Sequence, residues 1–154
     1  MTISIPLPTA TRATEIATRV AGHLSAGDCL LLSGPVGAGK THFARSIIQA
    51  MLSRLEDVPS PTFTLVQTYD TSSGEVWHAD LYRLFHIDEM AELGLEDAFD
   101  TAITLIEWPD RLGDLRPVRC LELDFSMPDL ESDLRVLNVT ANGSWDWIEV
   151  FDDV

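Results

Sequence analysis

LLLSGPVGAGKTHF, residues 30–43, is the stretch on which the fold turns. Within it, Gly34-Pro35-Val36-Gly37-Ala38-Gly39-Lys40-Thr41 fits G-x-x-x-x-G-K-[ST], the phosphate-binding loop. Glycines let the main chain curl until successive N–H groups point into one hollow, a nest for phosphate oxygens. A helix beginning there adds unpaired donors and a partial positive charge. Lys40 is expected to reach the β- and γ-phosphates, and the Thr41 hydroxyl to bind Mg²⁺. The flanks agree. Cys29-Leu30-Leu31-Leu32 is a short apolar run of the kind that forms a buried parallel strand. Phe43, Ala44, Ile47, Ile48 and Met51 lie on one broad face of the helix that follows.

Outward from the loop, residues 11–25 carry Ile16, Val20 and Leu24 at helical spacing, with Thr9 or Thr11 as cap and Gly27 past the end. Residues 62–69 and 75–80 read as two strands of a hairpin around Asp70-Thr71-Ser72-Ser73-Gly74. Asp88 is expected to cap a short helix ended by Gly94. Residues 102–106 form a second strongly apolar strand, and 118–125, 134–141 and 145–151 read as further strands. The chain of 154 residues is thus expected to be one α/β domain spanning 1–154. Its fold is expected to be P-loop NTPase-like, a mixed sheet flanked by helices with extra antiparallel strands.

Charge limits the partners. The net charge is −15, and residues 86–154 hold 18 acids against four bases, whereas residues 1–85 are nearly balanced. Direct nucleic-acid binding is not expected of this chain alone, because phosphate contacts need Lys and Arg. The acidic half serves solubility or faces a basic protein partner. Lys40 is the only lysine, beside nine arginines, as if a compact ammonium were needed at that position. No signal peptide and no apolar run of membrane-spanning length is visible, so a cytoplasmic location is expected. Cys29 and Cys120 sit in apolar stretches and read as reduced core residues.

A P-loop ATPase also needs an acid at the end of a neighbouring strand for Mg²⁺, and a group that orients the attacking water. Asp80 and Glu107 each end a strand. The strand of Glu107 is the more apolar, hence the more central, and assigns Glu107 to the metal. Asp80 then senses the γ-phosphate or positions water. Trp108, next to Glu107, lies against the nucleotide or a partner, or packs inward. Ser60-Pro61-Thr62 stands where a switch loop would reach back to the γ-phosphate. His78 and His42 have no clustered partners at metal spacing and read as non-metal residues.

GPVGAGKTHFAR at 34–45, VPSPTFTLVQTY at 58–69, HADLYRL at 78–84, ELGLEDAF at 92–99 and LIEWPDRL at 105–112 together resemble one family. It is the TsaE family, formerly YjeE, small bacterial ATPases of tRNA threonylcarbamoyladenosine synthesis. The resemblance runs from about Ile5 to Leu112. It implies ATP with Mg²⁺, weak hydrolysis alone, and work with the proteins TsaD and TsaB. It also implies that Val36, Gly37, Ala38, Gly39, Lys40 and Thr41 cradle the phosphates, with His42 beside them. Thr41 and Glu107 would hold Mg²⁺, while Lys40, Thr62 and Asp80 would serve hydrolysis. Trp108 would lie near the nucleotide, the stretch from Pro8 to Thr11 would border the base, and Arg135 would be a late nucleotide contact. Two positions depart from the family pattern: Pro35 where an acid is common, and His42 where a second Thr is common.

Two other functions fit a glycine loop of this kind. A small-molecule phosphotransferase would need a basic lid, and only Arg111, Arg116, Arg119 and Arg135 are available in the acidic half. A non-hydrolysing nucleotide-binding module would tolerate the loss of Asp80.

Overall fold

The computed structural model describes residues 2–52, 58–59, 65–84, 88–129 and 131–152. In chain order its elements are β1 (Thr2–Leu7), α1 (Ala10–Ala21), β2 (Cys29–Ser33), α2 (Lys40–Met51), β3 (Val66–Thr71) and β4 (Gly74–Asp80). There follow α3 (Asp88–Leu93), α4 (Leu95–Thr101), β5 (Ile103–Glu107), a 3₁₀ segment Pro109–Leu115, β6 (Cys120–Ser126), β7 (Arg135–Asn142) and a 3₁₀ turn Ile148–Phe151.

The strands form one seven-stranded sheet in the order β1-β7-β6-β2-β5-β4-β3. Its centre is parallel: β2 pairs with β5 and β6, and β5 with β4. Both margins are antiparallel, β3 on β4 at one side, and β7 on β6 with β1 on β7 at the other. This is the expected α/β class, a mixed sheet flanked by helices with added antiparallel strands. β2 is apolar on both faces because both are covered. Leu30 and Leu32 face α1 and α2, while Cys29 and Leu31 face the layer built on Leu81, Leu95 and Leu112.

α1 starts where Thr9 accepts the Arg12 N–H at 3.1 Å, a side-chain N-cap. Its buried stripe, Ala13, Ile16, Ala17 and Val20, has helical periodicity and packs on α2 and the sheet. On α2, Phe43, Ala44, Ile47 and Ile48 are wholly buried, and Phe43 meets the edge of Phe125 at a centroid distance of 5.3 Å. On the other side of the sheet, Gly94 stands between α3 and α4 in the left-handed region at φ 78°, ending one helix and opening the next. Cys29 and Cys120 are free and buried, as expected.

Several elements differ from the sequence reading; α4 and the 3₁₀ segment Pro109–Leu115 have no counterpart in it. Residues 145–151 were expected as a strand, but they form a turn and the 3₁₀ piece Ile148–Phe151. Their aromatic rings decide this, since Trp145 stacks edge-on against Trp147, and Trp147 lies on His23 beyond the end of α1. β1 was not expected at all. It is an edge strand, where the proline of the Pro6↔Val136 pair is tolerated. Among the described residues no helix is long and apolar enough to cross a membrane.

Candidate functional site

β2, β5 and β4 lie side by side and end together, which sets the site at the C-terminal edge of the parallel strands. Leu32 pairs with Glu107, and Glu107 with Asp80. The two acids therefore sit on neighbouring strand ends and point to the same face, toward the start of α2. In open α/β sheets the crevice outside these strand ends is where ligands bind.

The chain leaves β2 through Gly34 and returns at Lys40, the first residue of α2. Gly34 has φ +130°, and a Cβ there would lie 2.2 Å from the Phe125 carbonyl oxygen, so only glycine fits between loop and β6. Gly39, the α2 N-cap at φ 104°, has no side chain to cap the helix. Its glycine is required by backbone conformation, and the first turn of α2 is left without a side-chain cap. Val36, at the tip of the loop, is 76% exposed.

Lys40 is buried. Its ammonium donates to the carbonyls of Gly34 and Pro35 and lies 3.9 Å from the Trp108 ring centroid. Burial holds its pKa below the ordinary lysine value, and Glu107, Asp80 and Asp110 oppose that shift. Thr41 Oγ1 donates to Glu107 Oε1 at 2.7 Å. Glu107 is itself 1% exposed, and its Oε2 lies 2.7 Å from His78 Nε2. Asp80 accepts the Tyr82 N–H at 3.1 Å, which fixes its Oδ1.

Trp108 adopts φ 59°, the left-handed region that a bulky residue rarely occupies. Its N–H donates to Leu32 O at 3.3 Å, and its ring lies 4.9 Å from that of Tyr82. The turn thus carries the ring across the mouth of the site, above Lys40. Such backbone strain is typical of positions held for function.

A cleft of about 420 Å³ lies between Val36, Lys40, Thr41, Asp80, Glu107 and Trp108. A second, of about 440 Å³ and more apolar, is lined by Pro8, Thr9, Ala38, His42, Phe125 and Arg135. Gly37, Gly39 and His42 border both clefts. His42 Nε2 is 3.0 Å from Thr14 Oγ1 and 3.3 Å from Ala10 O, tying the first turns of α1 and α2 together. Arg135, at the start of β7, donates to Gly37 O at 3.4 Å.

The structure thus brings together most of the residues singled out in the sequence. Val36, Gly37, Gly39, Lys40, Thr41, His42, Asp80, Glu107 and Trp108 line the first cleft, and Ala38 and Arg135 the second. Thr11 is exposed on the first turn of α1 and lines neither; Thr9 and Ala10 stand there instead. Thr62 lies outside the described residues. Two residues escaped the sequence reading. Tyr82 gave no signal beyond its place after Asp80. His78 had one: it stands two residues before Asp80, so on a strand it shares that acid's face.

The residues present suit Mg²⁺. The Thr41 hydroxyl and the Glu107 carboxylate are hard oxygen donors that converge at the loop. Among the described residues no cluster of three or more His, Cys, Asp or Glu forms a complete metal cage.

Comparison with known proteins agrees with this architecture. The family model "Threonylcarbamoyl adenosine biosynthesis protein TsaE" matches residues 7–135. A tRNA threonylcarbamoyladenosine biosynthesis protein TsaE from Rickettsia bellii is 40% identical over 126 residues, covering 82% of this chain and 86% of the relative. The protein of the same name from Bacillus subtilis is 32% identical, covering 84% and 79%. The crystal structure of Bacillus subtilis YdiB superposes with a TM-score of 0.74 at 24% identity, over 99% of this chain and 93% of that one, and supports the fold. The matched span holds the glycine loop, both strand-end acids and Trp108, and by that match the chain belongs to the TsaE family.

Proposed function

We propose that this chain binds and hydrolyses ATP with Mg²⁺, as an accessory subunit of tRNA threonylcarbamoyladenosine synthesis that works with TsaD and TsaB. The observation that carries the ATPase reading is the contact between Thr41 and Glu107 beside the buried Lys40. A glycine loop, its lysine, its threonine and a strand-end carboxylate are the set that triphosphate chemistry uses. The relatives' names carry the pathway. The family resemblance and the acidic second half support a protein partner.

Each residue then has a task. Main-chain N–H groups from Val36 to Thr41 donate to phosphate oxygens. Lys40 exchanges its carbonyl partners, Gly34 and Pro35, for the β- and γ-phosphates. Thr41 and Glu107 would hold Mg²⁺, which supplies charge neutralisation across the phosphates when bound. The apolar second cleft, with Pro8, Thr9 and Arg135 on its walls, suits the nucleoside. Asp80 orients a water molecule in line with the γ-phosphorus. As the water oxygen bonds to phosphorus, the bond to the ADP oxygen breaks, giving ADP and inorganic phosphate. Trp108 and Tyr82 shield the reacting end from bulk water.

Phosphate release from ATP, measured with the chain alone and then with TsaD and TsaB added, tests this reading. Slow release alone and strong stimulation by the pair are expected. No release under either condition would leave only a binding module, and phosphate on a small acceptor would make it a phosphotransferase.

A further inference from the structure

His78 belongs to none of the roles above, yet it is the only titratable side chain among the described residues with zero exposure. It sits on β4 two residues before Asp80, paired with Leu105 of β5, while Asp80 pairs with Glu107. This register turns its ring toward Glu107, with Nε2 2.7 Å from Oε2. Oε2 faces a ring nitrogen, so the ring N–H donates and the carboxylate accepts. The other carboxylate oxygen, Oε1, accepts the Thr41 hydroxyl at 2.7 Å. Each oxygen of Glu107 therefore has one partner, and the two partners differ in kind. The Thr41 hydroxyl is free to rotate away, whereas the ring is packed in the core. Among the described residues, His78 Nδ1 has no hydrogen-bond partner, so within them Glu107 is the ring's one polar tie.

We infer that His78 is a positioning residue that clamps Oε2 of Glu107, so that Oε1 stays aimed at the loop when the Thr41 hydroxyl turns to a cation. This assignment rests on the ATP and Mg²⁺ reading above. A buried carboxylate without such a partner would swing toward whatever donor is near, Lys40 included, and lose its aim. Partners of this kind behind a metal ligand are commonly worth about 10–100-fold in metal affinity. A histidine that merely filled the core would not affect the ion at all.

The test is a calorimetric titration of ATP into the full chain, in EDTA and again in saturating Mg²⁺, with thermal melting as the check on folding. His78→Leu keeps the bulk and removes the donor. His78→Gln places an amide N–H where Nε2 stood. With His78→Leu, ATP affinity in EDTA is expected within about twofold of the parent, and the gain from Mg²⁺ about 10–100-fold smaller. His78→Gln is expected to restore most of that gain. If His78→Leu does not fold, His78→Asn, whose amide is too short to reach Oε2, takes its place. An undiminished Mg²⁺ gain in the donor-free variant overturns the assignment. So does an equal loss in a well-folded His78→Gln. Absence of Mg²⁺-dependent ATP binding in the parent overturns the nucleotide reading itself, and this assignment with it.

Discussion

Thr41 Oγ1 donates to Glu107 Oε1 across 2.7 Å, joining residues 66 positions apart in the chain. The bond exists because β5 lies directly beside β2, so the strand end and the helix start share one edge. Glu107→Gln keeps the shape and an acceptor for Thr41 but removes the charge. ATP binding in EDTA should change little, and the affinity gain on adding Mg²⁺ should fall by about tenfold or more. Titration with and without the ion checks this. A full gain in the variant would move the metal assignment to another acid.

Asp80 is next to Glu107 in the sheet register but contacts a different donor, the Tyr82 N–H. Asp80→Asn retains the oxygen for that bond and removes the carboxylate proposed to orient water. ATP affinity should stay within about threefold, and phosphate release in the presence of TsaD and TsaB should drop by about 10²–10⁴-fold. Unchanged turnover would remove Asp80 from the mechanism.

Gly34 and Gly37 separate two reasons for glycine in one loop. At Gly34 a Cβ would lie 2.2 Å from backbone oxygen, whereas at Gly37, φ +85°, it would meet nothing within 4 Å. Gly37→Ala should cost about 1–2 kcal/mol, the left-handed penalty alone. Gly34→Ala should cost about 3 kcal/mol or more, because β6 or the loop must also move. Thermal melting should show a fall of about 6–12 °C for Gly34→Ala. Equal falls for both variants would contradict the close approach to Phe125.

Cys29 gives a pH prediction. Burial raises its thiol from 9.0 to about 12. In the unfolded chain the thiol ionises near 9.0, while the folded core resists ionisation. Its contribution to stability is therefore whole below pH 9.0 and is lost as pH rises toward about 12. Denaturant unfolding from pH 8 to 11 should show the parent losing up to about 1.4 kcal/mol per pH unit above pH 9 relative to Cys29→Ala. Parallel curves for the two proteins would show that the thiol is not shielded.

Much of the site was legible because its chemistry is local. The glycine loop, Lys40 and Thr41 are contiguous, and the apolar run 102–106 told that Glu107 ends a central strand, as the pairing of β5 with β2 confirms. What stayed hidden depends on register and packing. The His78 contact needs β4 aligned with β5 to the residue, and a shift of one would turn His78 to the other face. Residues 145–151 have the aromatic content of a strand, yet ring packing between Trp145, Trp147 and Phe151 folds them into a turn. β1 was obscured by Pro6 and Pro8, whose cost vanishes at a sheet edge and beyond it.

The most direct measurement of the central claim is calorimetry of ATP in saturating Mg²⁺ on the full chain and on Lys40→Ala. The loop and its buried ammonium should give a dissociation constant of about 1–100 μM, weakened by about 30-fold or more when the ammonium is removed. No heat of binding from the parent chain, or equal affinity in the variant, would contradict a triphosphate held by Lys40 and the curled amides around it.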